Sequence, residues 1–136
     1  MVKIGYIFKA NLYDAFESDI EWMKHYGCVH IVVEDVKHET LRPLRKQLFA
    51  NLGTGDEIVV AKFSNALRGS RELASFIELC RIKNVRIISI HDRIDSRGKL
   101  FPETTVTEVL EMIGSLPAEA TALRTASAHV MRLQLN

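Results

Sequence analysis

Apolar positions along the chain follow two alternating patterns. Short, β-branched runs recur at "VKIGYIF", "CVHIVVE", the latter part of "TGDEIVVAKF" and "VRIISI", and each predicts a strand bounded by turn residues. Between them apolar residues return every three or four positions, the signature of a helix with one buried face. Phe16, Ile20, Met23 and Tyr26 mark such a face between Tyr13 and Tyr26, with Gly27 as its stop. "TLRPLRKQLFANLG" predicts a second helix with Thr40 as N-cap, Leu44, Leu48 and Leu52 on one side, and Gly53 as its end. "SRELASFIELCRIKN" predicts a third, with Leu73, Phe76, Ile77 and Cys80 inward. Near-continuous apolar strands separated by helices imply parallel strands buried on both faces, joined by right-handed crossovers. The expected fold is therefore an α/β, three-layer α/β/α domain over residues 1–103, with a mostly parallel sheet of four to five strands. "RGKLF" is the candidate for the extra edge strand. Residues 104–136 read as a C-terminal helical extension, kinked or broken near Pro117 because proline removes a helix donor. Its stripe of Val106, Leu110, Ile113 and Leu116 fits either a dimer contact or packing on the chain's own sheet.

Composition narrows the function classes. The 136 residues carry 18 basic and 17 acidic side chains, a formal charge of +1. Bulk attraction to nucleic acid is thus excluded, and any such binding needs a local basic patch. No apolar run reaches the length of a membrane span, and the N-terminus lacks the pattern of a signal peptide, so a cytoplasmic protein without membrane attachment is expected. Cys28 and Cys80 lie beside apolar residues without CxxC spacing and read as free thiols. His25, His30, His38, His91 and His129 share no metal-ligand spacing, and His30 reads as a satisfied ring within a strand. No glycine-rich dinucleotide or P-loop motif follows the first strand, and "GTGDE" precedes a strand and is a turn. Nothing calls for a cofactor or metal.

In parallel sheets ligands sit beyond the carboxyl ends of the strands. Several arginines fall there: Arg42 opens one helix, Arg68 and Arg71 open another, and Arg93 and Arg97 follow the fourth strand. Helix N-termini favour anions and guanidinium groups bind phosphate bidentately, so these residues outline a phosphate-facing edge. The competing account is a set of solvated surface arginines.

The succession of segments resembles the catalytic domain of the serine recombinases, the resolvase and invertase family. "IGYI" resembles the strand that leads into the family's Y-x-R-V-S, and "HYGCVHIVVED" its A-G-C-x-x-I-F-x-D segment. "LRP" with "LRKQLFANLGTGDEIVVAKF" resembles R-P-x-L-x-x-L-L and G-D-x-L-V-V. "RELASFIELCRIKNVRIISIHDRIDS" resembles the following helix, strand and I-D-T stretch. The likeness runs from Lys3 to about Ser96, and the family implies a resolvase-like fold acting in site-specific DNA recombination. Its reaction is attack of a serine hydroxyl on a phosphodiester, with arginines stabilising the charge that develops. This chain departs from the motif where the chemistry resides. The arginine and serine of Y-x-R-V-S fall on Phe8 and Ala10, within "FKAN". L-D-R-L-G-R-S falls on "FSNALRG", placing Ser64 and Asn65 at the aspartate and first arginine and retaining Arg68. Asp35 and Arg42 keep the acidic residue after the second strand and the arginine of R-P. Asp14 and Asp19 stand where the family often has glutamine, and their charge would repel a phosphate. "LPAEATALRT" resembles, through Glu119 and Arg124, the family's long helix that forms dimer contacts and approaches the DNA minor groove.

A methyl group cannot attack phosphorus, and a phenyl ring cannot neutralise a phosphate oxygen. The resemblance therefore implies a pseudoenzyme that keeps the fold without catalytic residues. It would associate with DNA through Arg42, Arg68, Arg71 and Lys9, and with itself or another recombinase as a homo- or hetero-oligomer. One alternative is a protein-interaction module that modulates an active recombinase. Another is a residual phosphodiesterase using Ser64 or Ser70. No helix-turn-helix or zinc-ribbon pattern follows, so sequence-specific recognition is not expected from these residues.

Overall fold

A computed structural model describes residues 1–10 and 13–135, with 127–135 as helical backbone. The first strand, β1 (Lys3–Lys9), leads to helix α1 (Phe16–Tyr26), strand β2 (His30–Asp35) and, past a short 3-10 turn at Val36–His38, helix α2 (Pro43–Asn51). Strand β3 (Glu57–Val60), the single-turn helix α3 (Phe63–Ala66), helix α4 (Ser70–Lys83) and strand β4 (Arg86–Ser89) follow. The short β5 (Ile94–Asp95) and the long α5 (Val106–Leu135) complete the order.

The five strands lie in the order β2-β1-β3-β4-β5. All pairings are parallel except β4 with β5. The chain reverses its direction of sheet growth at β1, so β1 and β3 are adjacent and their carboxyl ends form the switch point where such sheets hold ligands. Alternation along the strands sorts the core into two faces. Ile4, Tyr6, Ile58, Val60 and Ile87 pack with side chains of α2, α3, α4 and α5. Ile7, Val59 and Ile88 pack with Met23 and the apolar face of α1. Gly5 permits that second contact: a Cβ there would meet Met23 Sδ at 2.5 Å. Gly27 ends α1 at φ 104°, donating its N–H to Lys24 C=O, as the sequence predicts.

The structure corrects several sequence expectations. β2 is an edge strand, half-exposed rather than buried on both faces, and His30 faces outward. The antiparallel edge strand is Ile94–Asp95; "RGKLF" lies in the turn beyond it, where Asp95 accepts the N–H groups of Arg97, Lys99 and Leu100. Arg42, not Thr40, occupies the N-cap position of α2, and Pro43 supplies the first helical residue. Helix α5 is not broken at Pro117, which lies inside a continuous Val106–Leu135. Leu116 and Ala120 are buried beside this proline, and Glu119 bonds Lys62 at 2.8 Å, so packing on α3 holds the turn that proline alone would release. No helix among the described residues is long and apolar enough to cross a membrane.

Candidate functional site

At the switch point the carboxyl end of β1 is closed by a side chain of α3. The buried Asn65 accepts the Phe8 N–H through Oδ1 at 2.9 Å and donates from Nδ2 to the Phe8 carbonyl at 2.8 Å. A single amide thus completes the backbone hydrogen bonds of one residue. Phe8 is buried, and the Arg42 guanidinium lies 4.3 Å from its ring centroid. Arg42 also donates to the carbonyls of Asn65 at 2.7 Å and Glu39 at 3.1 Å. At 1% exposure, Arg42 is an interior cation whose pKa is lowered, first by burial. The surface phosphate contact expected of Arg42 is not present: its donors are turned into the protein. Ala10 is buried beyond this cluster, and Asn11 and Leu12 of the "FKAN" loop lie outside the described residues.

The expected anion site at the start of α2 is occupied by one of the protein's own carboxylates, and a second carboxylate is drawn in at the approach to α4. Glu34, fully buried on β2, accepts the N–H of Leu44 at 3.2 Å and of Arg45 at 2.9 Å, the first free donors of α2. Glu72 accepts the Arg68 N–H at 2.7 Å and takes a bidentate pair from the buried Arg45 at 2.8 and 3.2 Å. Burial works to raise the pKa of Glu72, but these donors outweigh it and hold the carboxyl below its ordinary value. What remains at the surface is Arg68, with Nε on Glu39 at 3.1 Å, together with the exposed Arg71 and Lys9. The Lys9 ammonium lies 4.9 Å from the Phe16 ring centroid. Arg93 pairs with Glu103, and Arg97 is exposed in the loop after β5. Asp35 caps the 3-10 turn by accepting the Lys37 N–H at 2.9 Å.

The two serines differ in setting. Ser64 is buried beneath α5 near Glu119; burial works to raise that carboxyl, while Lys62 and the Ser64 and Ser115 hydroxyls hold it below its ordinary value. A carboxylate so stabilised is a weak base for a hydroxyl. Ser70 is exposed at the start of α4.

Sequence reasoning missed a polar cluster on the opposite face of the sheet edge. Asp19, almost fully buried on α1, lies 2.6 Å from His91 Nε2 and accepts the Tyr13 hydroxyl. Its carboxyl is enclosed by Tyr13 and His91 rather than presented at the surface, unlike the phosphate-facing placement expected of Asp19. Asp14 is exposed in the turn before α1.

Of the family models compared, the one described as "Resolvase, N terminal domain" matches residues 14–132. No curated protein matches the chain. The matched span runs from α1 into α5 and begins after β1, so Phe8 and Ala10 stand just outside it. A five-stranded, mostly parallel sheet with a long C-terminal helix agrees with that match, and the chain belongs to the resolvase family of serine recombinases, of which it carries the N-terminal domain.

Proposed function

We propose that this chain serves DNA recombination without cleaving DNA, by associating with DNA and with a recombinase partner. The observation that carries the reading is the closed end of β1. Ala10 stands at the nucleophile position, and the space beside it is filled by Phe8 stacked on Arg42 and clamped by Asn65. A strand-cleaving site needs a hydroxyl with converging, accessible cations. Here the cations nearest the strand end, Arg42 and Arg45, are committed to backbone carbonyls and Glu72. Phosphate contact then falls to Arg68, Arg71 and Lys9, with Arg42 positioning the loop behind them.

Fluorescence anisotropy of a labelled generic duplex, titrated from low to physiological salt, tests the DNA part. Binding should weaken steeply with salt, and Arg68→Ala should reduce the slope of log K against log salt by about 0.9. An unchanged slope removes Arg68 from the interface, and absence of binding at low salt ends the DNA reading. Incubation with supercoiled plasmid should leave no covalent protein–DNA adduct; an adduct lost in Ser64→Ala or Ser70→Ala would instead establish a residual phosphodiester activity.

A second reading, a protein-interaction module, is favoured by the exposed face of α5. Val106, Leu110 and Ile113 are open to solvent, and Ile77 of α4 continues the same apolar surface. This surface is suited to a second copy of the chain or to a related recombinase.

A further inference from the structure

We infer that Glu39 is a built-in competitor for phosphate, holding the arginines of the proposed DNA edge in a self-occupied state. The inference rests on the DNA-contact reading above and adds how that contact is regulated. Glu39 follows the 3-10 turn and projects one carboxylate oxygen, Oε1, to Arg68 Nε at 3.1 Å and to Arg42 Nη2 at 3.9 Å. One acidic side chain therefore stands between the interior Arg42 and the surface Arg68, on the Arg68 donor that a phosphate oxygen would take.

The bridge stands at the wall of a cleft of about 260 Å³ lined by Glu39, Arg68, Thr121, Arg124 and Thr125. Arg124 donates from Nη2 to Thr121 Oγ1 at 3.1 Å, while its buried Nε has no hydrogen-bond partner among the described residues. A buried donor left unmet is costly. Arg68 and Arg124, with Thr121 and Thr125, thus line a space in which the internal anion is Glu39. The loop that carries it has a way to yield. It ends on Arg42 at φ 42°, a left-handed conformation unfavourable for a residue with a side chain. Glu39 itself is partly exposed, whereas Arg42 is fixed inside. Phosphate would displace the carboxylate from the arginines, not the arginines from their places.

The ligand chemistry is a phosphate oxoanion, from either the DNA backbone or free phosphate, and the test separates the two. Wild type, Glu39→Gln and Glu39→Ala are titrated with inorganic phosphate, followed by chemical shifts of the Arg68 and Arg124 side chains, and with a labelled duplex, followed by anisotropy. Thermal unfolding confirms that the variants are folded. Removing a like charge a few ångströms from the ligand should tighten binding roughly tenfold. On the duplex the salt slope should stay that of wild type, because Arg68 makes the same phosphate contact once the carboxylate is displaced. Adding Arg68→Ala to Glu39→Gln should erase the gain. Tighter phosphate binding with no duplex binding by any form keeps the competitor and ends the DNA reading. Glu39 variants that bind neither phosphate nor duplex more tightly than wild type overturn the inference, even if wild type binds DNA. A gain that persists without Arg68 overturns it as well.

Discussion

Asn65 shows what one residue does at the end of β1 and how little of it a local pattern discloses. Its amide donates and accepts on the same backbone unit 57 residues away. Asn65→Asp keeps the shape but loses the donor and sets a carboxylate oxygen against the Phe8 carbonyl. With the group buried, the substitution should lower stability by about 3 kcal/mol; an unchanged urea midpoint would show that the clamp contributes nothing. Asp95 gives a pH-dependent counterpart. Burial works to raise its pKa, but two hydrogen bonds from Arg86, at 2.8 and 2.6 Å, and the N–H groups of Leu100 and Arg97 hold it far below the ordinary carboxylate range. A depressed folded-state pKa stabilises above the unfolded value and is lost as the carboxylate protonates. The stability gap between wild type and Asp95→Asn should therefore be full above about pH 5 and shrink as pH falls below about 4. A gap independent of pH in unfolding scans would reject the ionised pair. Neither contact is legible in sequence, where arginines and aspartates read as surface because isolated buried charge is rare. Arg42, Arg45, Glu34 and Asp19 all lie inside because each found a partner on a distant segment. The faint signal available was Glu34 within the apolar run of β2 and Arg45 between the leucines of α2. Glu34 takes the Arg45 backbone N–H and the Arg45 guanidinium takes Glu72, and only the fold brings these groups together.

At the scale of elements the periodicities located α1, α2, α4 and all four long strands, because each buries one face or two against a continuous sheet. They did not locate α3, whose single turn is too short to carry a period. They also misread α5. The missing N–H of Pro117 leaves the Ile113 carbonyl without its helical donor. Ile113, 41% exposed, lies on the same side of the helix as the buried Leu116 and Ala120, which pack inside the domain. The helix continues because Leu116, Ala120 and the Glu119–Lys62 pair hold the turn around the proline against α3. Pro117→Ala should then raise stability by about 2 kcal/mol, less than the full difference between proline and alanine in an isolated helix because the surroundings already accommodate the ring. Thermal unfolding checks this; a lower melting temperature would mean that the pyrrolidine ring packs to advantage.

For the whole molecule, sheet composition and crossover rules led from sequence to the layered α/β fold, and the strand order then places residues 8–10 and the "FSNALRG" segment at one edge. What no single-chain pattern settles is which apolar faces meet another molecule. Leu73, Phe76 and Cys80 of α4 are buried, whereas Ile77 of the expected inner stripe remains 46% exposed. It opens onto a groove of about 190 Å³ shared with Phe63, Ile87, Met112 and Ile113. Leu110 is 61% and Val106 74% exposed along the same helix, whose Leu116 is closed within the domain. The stripe predicted for either a partner or the chain's own sheet is thus divided: its C-terminal member packs inside and its N-terminal members face out. Exposed aliphatic side chains in this arrangement favour self-association. Wild type should therefore show a mass above the 15.4 kDa of one chain in light scattering at tens of micromolar. Leu110→Asp places a charge where the partner's apolar face would lie, and because Leu110 makes little contact within its own domain the fold should be retained. The variant should run at 15.4 kDa with an unaltered circular dichroism spectrum. A variant that keeps the wild-type mass would exclude this stripe from the interface. A wild type already at the mass of one chain would reject self-association through it and leave a different recombinase chain as the partner for the surface.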